Sequence, residues 1–368
     1  MNSAQPSPFA FIIHPIDVKR DVARRYPALG LLPERVIEWL IKRREPMPVA
    51  ELHGIRSAIG VEASGWLIGC PLSPRQFVEL PVEFVYDKLE QCGRIAEELG
   101  AGIIGLGAFT SVVGDGGITL SQRLKIAVTT GNSYTVRTAM DGVMKAAELM
   151  GITIGEARGA VVGASGSIGA TCTELLGRHA ASVALVGRNR ERLDDVAARL
   201  ATGTRAELSV HTDVQEGLRD ADVIVTVSSA ADAIVEPHYL KRGCVVCDVA
   251  RPRDVSVRVA RERDDVLVIE GGVVQVPGAM RCTKFGGEAP FSFGFPPGTA
   301  YACMSETMAL ALEGRLESFT LGKTVSVEQV DEIGRICDRH GFRLAGFRSF
   351  ERAVTEEEIA RIKSRAGR

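Results

Sequence analysis

The chain lacks an excess of charge of either sign. Its 44 Lys and Arg face 46 Asp and Glu, for a formal charge of −2. A nucleic-acid binder needs a basic excess to neutralise phosphates, so that class is set aside. Short basic clusters such as IKRR at 41–44 read as solvated faces. No run of about 18 apolar residues is present, so no membrane span is expected. The opening MNSAQPSPFAFIIHP has no basic stretch ahead of its short apolar run, which speaks against a secretory signal and for a cytoplasmic protein. Internal repeats and low-complexity segments are also missing. So is any Cys/His set at metal-ligand spacing, and no metal site is expected. The eight cysteines (Cys70, Cys92, Cys172, Cys244, Cys247, Cys282, Cys303 and Cys337) are scattered and expected to be reduced. Cys244 and Cys247 form a C-x-x-C in RGCVVCDVA, but residues three apart on a strand point to opposite faces. Buried strand cysteines are the better reading there.

What is present is a chain of 368 residues with 45% hydrophobic and 24% charged residues, enough for two domains and a substantial core. Residues 9–14, FAFIIH, read as a strand. Residues 82–100 have helical apolar spacing and end at Gly100, and 129–151 read as a loop feeding a long helix with Asn132 or Ser133 as N-cap. From residue 157 to 276 the texture alternates: Val/Ile-rich runs such as GAVVGA, SVALVG, DVIVTVSS, CVVCDVA and VLVIEGG are separated by polar or helical connections. Runs of this kind fit strands buried on both faces of a parallel sheet. The expected fold is α/β, with a Rossmann-type doubly wound parallel sheet inserted between an N-terminal α/β region and C-terminal helices. The expected division is 1–150 for substrate, 151–280 for NADP, and 281–368 for an active-site loop, a cysteine helix and C-terminal helices packing on the N-terminal region. The tail TEEEIARIKSRAGR is expected to fray.

VVGASGSIG places Gly163, Gly166 and Gly169 between a strand and a helix. In that context the first glycine permits the tight turn, the second lets backbone approach a pyrophosphate, and the third seats the helix on the sheet. Ser165, Ser167 and Ile168 complete the loop, whose helix N-terminus suits phosphate. An NAD site usually carries a carboxylate about 20 residues on. Here the strand ends in GRNRERL, with Arg188, Asn189 and Arg190 and no carboxylate. Guanidinium groups suit a 2′-phosphate, so NADPH is the expected cofactor. Ser228, ending VTVSS, is placed either at the cofactor crevice or as a cap for the next turn.

The stretch PPGTAYACMSETMALALEG, 296–314, is a helix entered from a Pro/Gly loop, with Cys303 near its start. By itself Cys303 reads as core, in line with Thr307, Leu310, Ala311 and Gly314. With Thr299 as N-cap it would lie just past the first turn, where the dipole favours thiolate. The stretches GLGAFTSVV, TTGNSYT, VVGASGSIG, GRNRERL, GGVV, YACMSETMALALEG and RHGF together resemble the cyanobacterial long-chain acyl-[acyl-carrier-protein] reductases, across roughly 9–347. The resemblance implies NADPH-dependent reduction of an acyl thioester to an aldehyde through an acyl-enzyme on Cys303. The substrate would be carried on acyl-carrier protein or on CoA, and an aldehyde product would favour peripheral membrane association. Candidate oxyanion donors are Ser111 with Thr110, and Asn132 with Thr130 and Gly131, while turn chemistry and capping stay open for each. His340 is a candidate proton donor, or a plain helix-ending residue before Gly341. Segment 275–300 departs from the cyanobacterial pattern. Arg20, Arg24 and Arg25 could dock an acidic carrier, with a solvated face the favoured reading.

Two other readings stand beside this one. The nucleotide motif also resembles shikimate dehydrogenase, an NADP-dependent alcohol/keto dehydrogenase type that uses a Lys/Asp pair; Asp115 and Lys125 are the candidates. A non-catalytic NADPH-binding regulatory module is the third.

Overall fold

The computed structural model describes residues 7–23, 26–230, 232–250, 252–284, 287–292 and 294–368. Arg24 and Arg25 lie outside them. The chain forms two compact units. The first is the chain up to Asn132 with Gln275–Lys323 and Glu332–Arg343; the second is Ser133–Val274 with Thr324–Asp331 and Leu344–Arg368.

The second unit is built on a six-stranded parallel sheet. Its strands in chain order are Arg158–Val162, Ser182–Val186, Glu207–His211, Val223–Thr226, Val245–Asp248 and Leu267–Glu270. In space they run 3-2-1-4-5-6, the Rossmann order. Val223–Thr226, Val245–Asp248 and Leu267–Glu270 are buried along their length, as their apolar runs require. Cys244 and Cys247 are buried here.

This unit's bounds differ from the expected 151–280. The helix Asn132–Met150 buries Val136, Ala139, Met140, Val143, Ala147 and Met150 against sheet residues Val161 and Leu185. Its apolar stripe at spacings of three and four reads the same whichever core receives it, so sequence alone assigned it elsewhere. The tail does not fray: Thr355 caps the helix Glu356–Ala366, and Ile359 enters the same core at 6% exposure.

The first unit holds a seven-stranded mixed sheet. Its spatial order is Gly287–Pro290, Gly278–Lys284, Met47–Arg56, Glu62–Gly69, Phe9–Ile13, Ile103–Gly105 and Ala127–Thr129. The last four are mutually parallel and end on one edge. The Gly/Pro/Phe-rich stretch 284–298, read from the sequence as a loop, contributes the strand Gly287–Pro290; in the strand before it, Met280 and Cys282 are buried and their neighbours exposed, the period-two signature of a strand with one face covered. The helix Ala302–Glu313 packs across Phe9–Ile13 and Ile103–Gly105. It is buried from Met304 to Leu312 on every side, so it reads as apolar all round, and it stops at Gly314 in the left-handed region.

Cutting Ile359→Ala should leave a cavity and destabilise the second unit by about 2–4 kcal/mol. A lowered guanidinium midpoint checks this; an unchanged midpoint would mean the C-terminal helix does not contribute to that core.

Candidate active site and cofactor loop

Cys303 is the second residue of its helix. The N-cap is Tyr301, not Thr299, which lies in the strand Thr299–Tyr301 and donates its hydroxyl to Pro296 O at 2.7 Å. The thiol therefore sits inside the first turn, where backbone N–H groups and the positive end of the dipole favour thiolate. Of the eight cysteines, Cys303 alone is not buried. Burial pushes the Cys172 and Cys244 thiols up to about 12, and burial with the neighbouring Cys70 raises Cys92 well above its ordinary value. Those three are inert thiols at neutral pH.

Two segments converge on Cys303 from the carboxyl edge of the parallel strands. After Ile103–Gly105, Gly107 lies so that a Cβ there would stand 3.4 Å from Cys303 Sγ. The 3-10 turn Ala108–Ser111 follows, with Ala108 at φ +50. After Ala127–Thr129, Gly131 at φ +73 lies so close that a Cβ would be 2.2 Å from Cys303 Cα. Only glycine fits, on conformation and on space. Asn132 comes next, buried at 4% exposure. The structure thus brings Cys303 together with the segments that carry Ser111 and Asn132. Ser111 Oγ donates to Ala108 O at 2.8 Å, and Thr110 Oγ1 to Gly107 O at 2.8 Å, so both hydroxyls brace the turn.

His340 is placed elsewhere. Its Nδ1 shares a 2.8 Å bond with Ser57 Oγ, and its Nε2 lies 2.7 Å from Glu313 Oε2, with the ring buried. Glu313 stands at the other end of the cysteine helix, about 15 Å of rise from Cys303. The expectation of a proton donor to the thiol is therefore corrected: His340 ties its own helix end to the cysteine helix. The sequence reading passed over His14, which ends the strand Phe9–Ile13. Its ring packs on Phe77 and Phe109, burial lowers its pKa to about 4, and its Nε2 has no hydrogen-bond partner among the described residues.

In the second unit, Gly163 turns at φ +85, and a Cβ on Gly169 would come within 2.2 Å of Gly163 O. That contact seats the helix Ser167–Gly177 against the turn, with Gly166 as its N-cap and no side chain covering that end. Ser165 and Gly166 are exposed, and Ile168 is partly buried. A Cβ on Gly163 would also lie 3.0 Å from Ser228 Cα, across the point where the strand order reverses. Glycine loop and Ser228 thus face each other at the strand-order reversal. Ser228 is held there by Asp254, which accepts from its N–H at 2.9 Å and its hydroxyl at 2.5 Å.

Within the basic cluster two side chains have local partners. Asn189 caps the helix Arg190–Leu200 by accepting from Arg192 N at 3.0 Å, and Arg190 pairs with Asp194 at 3.3 Å. Arg188 is exposed after the strand. No carboxylate ends that strand, and the glycine cradle fits a pyrophosphate.

Residues 145–270 match the family described as shikimate / quinate 5-dehydrogenase. The chain is 29% identical to aminotransferase PigE of Serratia sp., over 96% of this chain and 42% of that one. It spans less than half of that relative's length. It is also 29% identical to the long-chain acyl-[acyl-carrier-protein] reductase of Synechococcus elongatus, over 89% of this chain and 95% of that one. Among solved structures, glutamyl-tRNA reductase from Methanopyrus kandleri is 20% identical, covering 53% of this chain and 41% of that one, with a TM-score of 0.30. Fold, glycine cradle and family match define the class: an oxidoreductase that binds NADP(H) on a Rossmann-type sheet. Among the described residues no helix is long and apolar enough to cross a membrane.

Burial lifts the Asp254 carboxyl from 3.8 to about 6, against the Ser228 bonds that lower it. The folded state holds this proton more tightly than the unfolded chain. Its stabilisation is full below about pH 4 and lost as pH rises through about 6. Relative to Asp254→Asn, the protein should gain about 1 kcal/mol between pH 7 and pH 5. Thermal melts of both proteins at the two pH values measure it; parallel shifts would place the titration elsewhere.

Proposed function

We propose that the chain is an NADPH-dependent acyl-thioester reductase that releases an aldehyde, with Cys303 as nucleophile. The observation that carries this reading is the Cys303 thiol itself, which alone among eight is not buried and sits in the first turn of a helix at the carboxyl edge of parallel strands. Likeness to the Synechococcus acyl-[acyl-carrier-protein] reductase across most of both chains supports it.

Cys303 Sγ attacks the thioester carbonyl, forming the Cys303 acyl bond as the carrier thiolate leaves and takes up a proton. NADPH, when bound, supplies a hydride for the acyl carbon. The oxyanion that develops on the Cys303 adduct needs donors, for which the candidates are Asn132 and, if its hydroxyl leaves Ala108 O, Ser111, on the segments 131–132 and 107–111 either side of the sulfur. Collapse of the adduct expels the aldehyde and returns the Cys303 thiolate. Gly163, Ser165, Gly166, Ser167, Ile168, Gly169 and Ser228 would hold the dinucleotide, with Arg188 on its 2′-phosphate. The substrate is carried on acyl-carrier protein or CoA.

The candidates for the Lys/Asp pair of a shikimate-type dehydrogenase are not joined here. Among the described residues no ion pair joins Asp115 to Lys125; Asp115 instead accepts from Thr119 N and Oγ1 at 3.0 and 2.6 Å. The match to that family covers the nucleotide-binding stretch rather than the first unit.

Intact-protein mass after mixing with acyl-CoAs and acyl-carrier proteins, without NADPH, tests the proposal. We expect an acyl-sized gain that Cys303→Ala abolishes, with NADPH binding retained in the variant. No adduct from any thioester would return the chain to the simple dehydrogenase or the non-catalytic NADPH-binding module.

A further inference from the structure

One turn beyond Cys303 the same helix carries Glu306, fully buried in a helix otherwise of small and apolar side chains. A carboxyl placed so far from water is costly unless its oxygens are satisfied. Glu306 Oε1 accepts from Thr129 Oγ1 at 2.5 Å and from Thr320 Oγ1 at 2.8 Å. Thr129 Oγ1 also accepts from Thr320 N at 3.2 Å. Thr130 then reaches the same strap: its N–H and its hydroxyl donate to Thr320 O at 2.9 and 3.1 Å. Thr129, Thr130 and Thr320 are all buried at 0% exposure.

This network has a direction. Thr129 and Thr130 are the residues immediately before Gly131, and Gly131 is the residue packed on Cys303 Cα. One carboxyl oxygen thus fixes two segments far apart in sequence against the helix that carries the thiol. Because a Cβ at Gly131 would overlap Cys303, the two backbones touch, and a shift of strand end against helix moves Asn132 relative to the sulfur. An error of about 1 Å in such a geometry costs on the order of 100-fold in rate.

We propose that Glu306 is a positioning residue for Cys303, one that sets the nucleophile in register with the Thr130–Asn132 segment through the hydroxyls of Thr129 and Thr320. The proposal rests on the thioester reading for its rate consequences and on the geometry for its structural ones. What it requires of residue 306 is an acceptor oxygen at that place, which Gln supplies and Ala does not.

The test compares Glu306→Gln, Glu306→Ala and Thr129→Val with the unaltered full chain. Each is read by Cys303 acylation rate, by kcat and KM for the thioester, and by iodoacetamide labelling of Cys303. We expect Glu306→Ala to lose about 100-fold in kcat with KM within about threefold, since the acyl-binding surface is untouched. Thr129→Val, which keeps the volume but removes the donor to Glu306 and the acceptor of the Thr320 N–H, should lose about tenfold. Glu306→Gln should return to within about fivefold of the unaltered chain. Equal loss in Gln and Ala would overturn the proposal, because the position would then demand a proton or a charge rather than an acceptor. Full activity in Ala would overturn it as well. Labelling separates this from the reaction itself. If the unaltered chain takes no acyl group from any thioester, the proposed reaction fails. Glu306 is then judged by whether Ala slows Cys303 labelling and Gln restores it; identical labelling in all three rejects the positioning role. Should Glu306→Ala not fold, Thr129→Val and Glu306→Gln decide by the same criteria.

Discussion

The contact between Gly131 and Cys303 is the constraint around which the first unit is organised. The end of a parallel strand and the start of a buried helix meet with no side chain between them, because a Cβ at 131 would stand 2.2 Å from Cys303 Cα. That approach requires a glycine at φ +73. It also requires that strand and helix be locked together nearby, a role that falls to the buried Glu306 and its threonines. Everything chemical about the site follows from the closeness: the sulfur lies at the carboxyl edge of the strands, in the first turn of its helix, with Gly107 on one side and Gly131 on the other. The carboxyl ends of parallel strands are where α/β sheets hold their ligands.

The second unit obeys a parallel logic with different parts. Gly163 turns the chain out of the first strand, and Gly169 lets a helix close onto the Gly163 carbonyl. The strand-order reversal then brings Ser228 opposite. Asp254, its carboxyl raised by burial, anchors that second lip of the crevice. Both units thus place close backbone approaches, made possible by glycine, at the points where phosphate or acyl groups would be held.

Sequence reading recovered the parts whose cause is local. Five of the six parallel strands announce themselves as Val/Ile runs, and the glycine loop by its spacing between a strand and a helix; the sixth, Glu207–His211, is only partly buried, reads ELSVH and was not picked out. It did less well wherever the deciding partner is distant. The helix Asn132–Met150 carries an apolar stripe that says nothing of which core it enters. Asn189 beside two arginines reads as a phosphate ligand, and the sequence reading did not see that its Oδ1 also caps the next helix. His340 sits in RHGF, one of the stretches on which the sequence resemblance was read, yet its ring is spent on Ser57 and Glu313. Glu306 passed unnoticed as a single acid in an apolar helix, because its partner Thr129 lies 177 residues away. The cap of the cysteine helix was misplaced by two residues, since Thr299 looks like an N-cap but spends its hydroxyl on Pro296.

The central claim is that one thiol of eight is both reachable and activated. The most direct measurement is brief labelling of the folded protein with iodoacetamide across pH 5 to 9, followed by peptide mass mapping of every cysteine. The account predicts that Cys303 labels first, at a pH below that of an ordinary thiol, while Cys92, Cys172 and Cys244 stay unlabelled until the fold is lost. Labelling that begins at another cysteine, or at Cys303 with the pH dependence of a free thiol, would contradict it.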